Sequence, residues 1–272
     1  MTVKNLRVGW QTDVPTTAYF DLAGDFSVVL DHVIVDSDTA IFITSGFTGS
    51  TRSPAHILTD VEMTGMTSNT NTFIGGVSYS FKASITASLS VTNLNIHDNS
   101  MPVGVSMSAL PLFMVDVSAG TVTSTITNVT FSKNQGNVQF QLYLTEGSHD
   151  VTIDGLTMSQ NQVNTNPFAC YSLDTADNLA ITLKNVLLEN NQYDFNGYFM
   201  LFSSAATNVQ INIDGMEMKN HAFDDTRNGI YLQPLDPSTN MFNFTLQNAA
   251  FTDLYTMGTV VESYSNSPTQ AT

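Results

Sequence analysis

Cysteine is almost missing from this chain. Cys170 is the only one, so an internal disulfide and a multi-thiolate metal centre are both excluded. A lone thiol of this kind is expected to sit in the core as a small hydrophobe. Basic residues are scarce as well: 8 Lys+Arg stand against 24 Asp+Glu, a formal net charge of −16. The cations Lys4, Arg7, Arg52, Lys82, Lys133, Lys184, Lys219 and Arg227 are scattered, whereas phosphate binding needs them clustered. Nucleic acid and a polybasic membrane anchor are therefore not expected partners. No apolar run approaches the roughly 20 residues of a spanning helix, so membrane insertion is not expected. The stretch from Met1 to Arg7 lacks a long apolar segment, and no signal peptide is visible. That fits a cytosolic product and a processed or partial chain alike.

What replaces charge is amide and hydroxyl. Charged residues make up 12 % of the chain, about half the usual share of roughly 25 %. There are 25 Asn among the 272 residues. Asn and Thr are poor helix formers, and Asn tolerates positive φ, so strands and turns are favoured over long helices. Hydrophobic residues at 42 % suffice for a core.

One short pattern recurs along the chain. It reads Leu30-Asp31-His32-Val33-Ile34-Val35, then Leu58-Thr59-Asp60-Val61-Glu62-Met63, then Val91-Thr92-Asn93-Leu94-Asn95-Ile96. It returns around Asn128, Gly155, Asn185, Gly215 and Asn248. The eight turn positions His32, Asp60, Asn93, Asn128, Gly155, Asn185, Gly215 and Asn248 lie 27 to 35 residues apart, about 31 on average. Six are Asn or Gly, types suited to a sharp bend with φ > 0. On either side of the bend, apolar residues alternate with period two, as in half-buried strands. A third apolar segment precedes most units, such as Phe140-Gln141-Leu142-Tyr143-Leu144 and Tyr198-Phe199-Met200-Leu201-Phe202. The pattern predicts an all-β parallel β-helix of about eight coils of about 31 residues, with three strands per coil. Its expected extent is residues 26–264, after a cap segment at 1–25 containing Trp10 and Pro15 and before a flexible tail at 265–272. The Asp-Gly pairs at 154–155 and 214–215 would by themselves suggest hairpins, but the long period favours stacked coils.

A second signature follows the bend motif. Asn99, Asn134, Asn161 and Asn191 each come three residues after its last apolar position. Stacked coils would superimpose them as an asparagine ladder, satisfying backbone and side-chain groups across four coils and stopping at His221 and Leu254.

The bend motif, the Asn ladder and the coil length resemble the pectin-lyase-like right-handed parallel β-helix superfamily, over residues 26 to 260. The resemblance is architectural. It implies a fold shared by polysaccharide lyases, glycoside hydrolases, phage tailspikes and non-catalytic adhesins. The enzymes of that superfamily place clustered aspartates with Ca²⁺ beside an Arg or Lys base, or set carboxylates across a glycosidic bond. Here the outward Glu62 and Glu217 lie several coils apart, and Glu189 with Lys219 reads as a surface ion pair. No catalytic residues are assigned. Asp224, Asp225 and Arg227 are the candidate glycan contact, with Ca²⁺ a possible ligand there, as it is for Asp36-Ser37-Asp38. Asn128 and Asn243 head N-glycosylation triplets. The five histidines are far apart in sequence, so a histidine metal site is not expected. Phe195, Tyr198, Phe199 and Phe202 form an aromatic patch that reads as core or as a sugar platform. The expected function is a structural or adhesive extracellular solenoid that associates end to end. Polysaccharide cleavage and carbohydrate binding without turnover are the alternatives.

Overall fold

The computed structural model describes residues 1–10, 20–23, 27–37, 41–47, 55–65, 75–81, 85–100, 112–117, 120–136, 140–163, 166–172, 176–193, 198–223, 229–235, 241–254 and 260–263. Numbered in chain order, nine long strands stack in one sheet. They are Thr2–Trp10 (β1), Val28–Ser37 (β3), Ala55–Thr64 (β5), Ile85–His97 (β7), Gly120–Ser132 (β9), Gly147–Ser159 (β12), Ala176–Glu189 (β15), Asn208–Phe223 (β18) and Met241–Leu254 (β20). A second sheet holds Phe20–Ala23 (β2), Ile41–Phe47 (β4), Gly75–Phe81 (β6), Phe113–Val117 (β8), Phe140–Leu144 (β11), Phe168–Ser172 (β14), Met200–Ser204 (β17), Ile230–Pro234 (β19) and Val261–Ser263 (β21). Gln135–Gly136 (β10), Gln162–Val163 (β13) and Gln192–Tyr193 (β16) form a narrow third strip that continues onto the end of β18.

Neighbouring strands pair in parallel, so the chain winds as a β-solenoid, and no helix occurs among the described residues. Asp154-Gly155 and Asp214-Gly215 lie inside continuous strands, and neither makes a hairpin. The count of stacked long strands is nine, not about eight. The extra one is β1, within the stretch expected to be a cap, which pairs with β3 from Thr2↔Val29 to Trp10↔Ser37.

The long strands bend in the middle, and the bend is what the recurring motif encodes. All eight expected bend residues have positive φ, from 52° at Asp60 to 80° at Gly155, and Asn5 in β1 joins them at 54°. The left-handed residue interrupts the alternation. In β12 the pattern is Ile153 inward, Asp154 and Gly155 outward, Leu156 inward. The apolar spacing therefore jumps from two to three at the bend, and both halves of the strand still face the interior. A second left-handed series closes the downstream half: Gly65, Asp98, Lys133, Gln160, Asn190, Asn220 and Asp253.

Because the register is constant across the bends, with one shift at Gly147/Ser148 where β12 meets β15, equivalent side chains form columns. Leu30, Leu58, Val91, Ile126, Ile153, Leu183 and Ile213 are partners in succession, and all are buried. Full burial of one such side chain stabilises by about 1.5–3 kcal/mol. In the second sheet, Phe113, Phe140 and Phe168 stack inside the coil with centroids 4.8 and 5.2 Å apart. Phe199 and Phe202 of the expected aromatic patch are also buried, so they belong to the core. Phe195 lies outside the described residues. Cys170 is buried in the same cluster, as expected, and burial pushes its thiol pKa up.

Stacking also fixes where a Cβ can be tolerated. A Cβ on Gly147 (φ 97°) would come within 1.8 Å of the Gly120 carbonyl oxygen. At Gly215 (φ 76°) the nearest atom would be the Asn185 Oδ1 at 3.4 Å, and Asn fills the same position in other coils. Gly147→Ala is therefore expected to lower unfolding stability by more than ~2 kcal/mol, combining steric clash with left-handed strain. Gly215→Asn should stay within ~1 kcal/mol of the parent. Paired urea denaturation curves check both values.

Candidate functional site

The asparagine ladder is buried, with Asn99, Asn134, Asn161 and Asn191 each no more than 2 % exposed. The two inner members, Asn134 and Asn161, donate in both directions along the stack. The Asn134 backbone N–H and Nδ2 both donate to Asn161 Oδ1, at 2.9 and 3.2 Å. The Asn161 backbone N–H and Nδ2 donate to Asn191 Oδ1 at 2.9 Å each. Looking back down the stack, Asn134, Asn161 and Asn191 donate through Nδ2 to the carbonyls of Ile96, Phe131 and Met158, all at 2.9 Å. His221 does not end this series. Its Nε2 lies 3.0 Å from the Leu188 carbonyl, the equivalent acceptor one coil on, and its ring packs on Phe199. An imidazole N–H thus replaces the amide donor in a slot that is fully buried.

The bend residues form a second, exposed column. Asn93 Nδ2 donates to Asp60 Oδ1 at 2.7 Å, and Asn128 Nδ2 to Asn93 Oδ1 at 3.2 Å. Where the bend is glycine, the preceding aspartate supplies the acceptor. Asn185 Nδ2 reaches Asp154 at 2.6 Å and Asn248 Nδ2 reaches Asp214 at 2.7 Å.

At its N-terminal end this column becomes ionic, and here the distant histidines gain partners. His32 Nδ1 is 2.5 Å from Asp31 Oδ1, and His32 Nε2 is 3.4 Å from Asp60 Oδ2. Lys4 Nζ, 2.8 Å from Asp31 Oδ2, holds the Asp31 carboxyl below its usual range, with His32 adding to the effect. Four residues on from Asn93, His97 repeats the arrangement, with Asp98 Oδ2 2.7 Å from Nδ1 and Glu62 Oε1 3.1 Å from Nε2. Desolvation opposes its protonation, but the hydrogen bonds to Asp98 and Glu62 outweigh this and raise its pKa. His32, Ile34, Asp60, Val61, Glu62, Asn93 and Asn95 line a groove of about 270 Å³ between these groups. This groove was not legible in the sequence, because its members are brought together by coils 28 and 33 residues apart.

The other expected site residues are placed as follows. Asp224, Asp225 and Arg227 lie outside the described residues, as does Asp38. Asp36 is exposed and 3.6 Å from Arg7. Asn128 and Asn243 are both exposed. Lys219 meets Glu189 at 3.4 Å and also Glu217 at 3.1 Å. Tyr198 stacks on Tyr231 at 4.1 Å, half-buried on the second sheet.

No protein-family model matches the chain, and neither a curated protein nor a solved structure matches it significantly. The fold and the site therefore define a class only: a parallel β-solenoid with a buried Asn ladder and an acidic, histidine-bearing groove.

Two outcomes follow from the ladder. Asn161→Ala strips an acceptor from two buried donors and a donor from the Phe131 carbonyl, at roughly 1–3 kcal/mol per orphaned group. The variant should lose at least ~3 kcal/mol in chemical denaturation. Burial drives the His221 pKa down to about 4 from 6.5. The folded state then binds its proton later than the unfolded chain. His221 thus contributes stability that is present above about pH 6.5 and lost as pH falls toward 4. His221→Asn should show a shallower loss of melting temperature over that window than the parent. An identical slope would contradict the assignment.

Proposed function

We propose that this chain is a non-enzymatic structural solenoid, an extracellular or cell-surface building block that assembles end to end. Its architecture suits affiliation with the pectin-lyase-like β-helices. The support for the assembly comes from the two end strands of the long sheet. In β20 the core-facing Phe242, Phe244, Leu246, Ala249, Phe251 and Leu254 are only half-buried, although they pack on the main core. Among the described residues β20 pairs with β18 and β1 with β3, each along one edge. Such edges template further pairing.

The edges also match one another. β1 reads Val3-Lys4-Asn5-Leu6-Arg7-Val8 and β20 reads Leu246-Gln247-Asn248-Ala249-Ala250-Phe251. The bends at Asn5 and Asn248 have φ of 54° and 52°. One copy's β1 can therefore continue another copy's sheet in the register used throughout, with Asn5 over Asn248 and Leu6 over Ala249. A head-to-tail contact of this kind does not close and yields a filament. A net charge of −16 on each copy opposes approach, so added salt should promote assembly. Polysaccharide cleavage is the competing function, and release of reducing ends or unsaturated products from acidic glycans would favour it.

The test uses two charge insertions at opposite ends, Leu6→Asp and Phe244→Asp, followed by sedimentation velocity and negative-stain imaging. The parent is expected to form rods that lengthen with concentration and salt. Each variant alone should stop at single units, and a 1:1 mixture should give dimers, because each variant keeps one competent end. Monomers of the parent at every concentration, or full-length rods from either variant, would overturn the proposal.

A further inference from the structure

We propose that the groove on the outer face of the long sheet is a binding site for a divalent transition-metal ion, held by His32 Nε2 and the Asp60 carboxylate. The first support is a distance. His32 Nε2 and Asp60 Oδ2 are 3.4 Å apart. That is long for a charge-assisted hydrogen bond, which is about 2.7–2.9 Å. A tetrahedral centre with bonds of about 2.0–2.2 Å sets its donor atoms roughly 3.3–3.6 Å apart. The pair thus needs little movement to close on an ion.

The second support is what lies behind each donor. Asp31 takes the Nδ1 side of His32 at 2.5 Å, which leaves Nε2 to face the groove. Asn93 donates to the other oxygen of Asp60 at 2.7 Å, which fixes that carboxylate. An imidazole backed by a carboxylate, beside a ligating carboxylate that is itself hydrogen-bonded, is the arrangement by which outer groups orient metal ligands and raise their basicity. Ligand atoms of Asp31, His32 and Asp60 all fall within 4.8 Å of one another.

The third support is room and charge. The groove of about 270 Å³ leaves space for the water or carboxylate oxygens that complete a coordination shell, and Glu62 lines it. Lys4 pairs with Asp31 and His97 with Glu62, while the three carboxylates of Asp31, Asp60 and Glu62 stand together around the groove. An imidazole nitrogen with carboxylate oxygens suits Zn²⁺, Cu²⁺ or Ni²⁺ rather than Ca²⁺, which takes oxygen shells. The neighbouring His97 has Asp98 behind it, but its Nε2 is already hydrogen-bonded to Glu62 Oε1 at 3.1 Å, so this ring is the internal control.

The experiment titrates the full chain with Cu²⁺, followed by electron paramagnetic resonance, and with Zn²⁺, followed by calorimetry. The parent should bind one ion in a spectrum showing imidazole nitrogen coupling. His32→Asn and Asp60→Asn place at the bend the residue already found at Asn93 and Asn128, so the fold should be kept, as far-UV circular dichroism will verify. Both should weaken binding at least tenfold, and Asp31→Asn by about 10–100-fold through the lost outer contact. His97→Gln should change it less than twofold. Absence of saturable binding in the parent, parental affinity in His32→Asn, or loss in His97→Gln alone would each overturn the site.

Discussion

Constant register between parallel strands is the constraint on which everything else rests. Each long strand lies over the previous one with bend above bend, as in Asn93 over Asp60 and Asn185 beside Gly155. Period-two alternation would fail across a sharp corner if both halves of a strand had to face one core. The left-handed residue solves this by placing two outward residues in succession. Once every coil carries that residue at one height, columns of leucine and valine fill the interior. Asparagine columns then satisfy the backbone at the turns. A slip of one residue in any coil would expose its apolar set and break the ladder together.

The two columns of amides divide the labour. In the buried ladder that begins at Asn99, the side chains of Asn134, Asn161, Asn191 and finally His221 satisfy backbone carbonyls of the preceding coils. The exposed column at the bends is free to vary, and it does so from His32 and Asp60 through Asn93 and Asn128 to glycine. Side-chain chemistry on a solenoid therefore concentrates where the fold demands only a tolerance of positive φ. The acidic, histidine-bearing groove lies there, and the long apolar columns run to the ends, where β1 and β20 offer matching edges. The proposed end-to-end assembly would leave the lateral face, with its groove, uncovered.

Much of this was legible in the sequence, because the bend motif and the ladder are local patterns repeated at long period. Eight bends and the four ladder asparagines can be read directly. The ninth bend, at Asn5, was hidden although Val3-Lys4-Asn5-Leu6-Arg7-Val8 fits the motif, because the stretch 1–25 containing Trp10 and Pro15 was expected to be a cap. The second left-handed series has no residue signature, since Asp98, Lys133, Gln160 and Asn190 share only geometry. His221 interrupts the asparagine pattern in letters but not in hydrogen bonding. The His32 and His97 clusters are products of stacking: Asp60 stands 28 residues from His32, and Glu62 stands 35 from His97.

The account turns on the parallel, in-register stack. The outward column Ile34, Glu62, Asn95, Thr130, Thr157, Leu187, Glu217 and Ala250 measures it, since each residue is the partner of the next. Spin labels fixed at Ala250 and moved along Thr157, Thr130, Asn95 and Ile34 should give pulsed-dipolar distances rising by about 4.8 Å per strand, near 14, 19, 24 and 34 Å before label length. Distances that do not increase linearly with strand number, as antiparallel hairpins at the Asp-Gly pairs would produce, would contradict it.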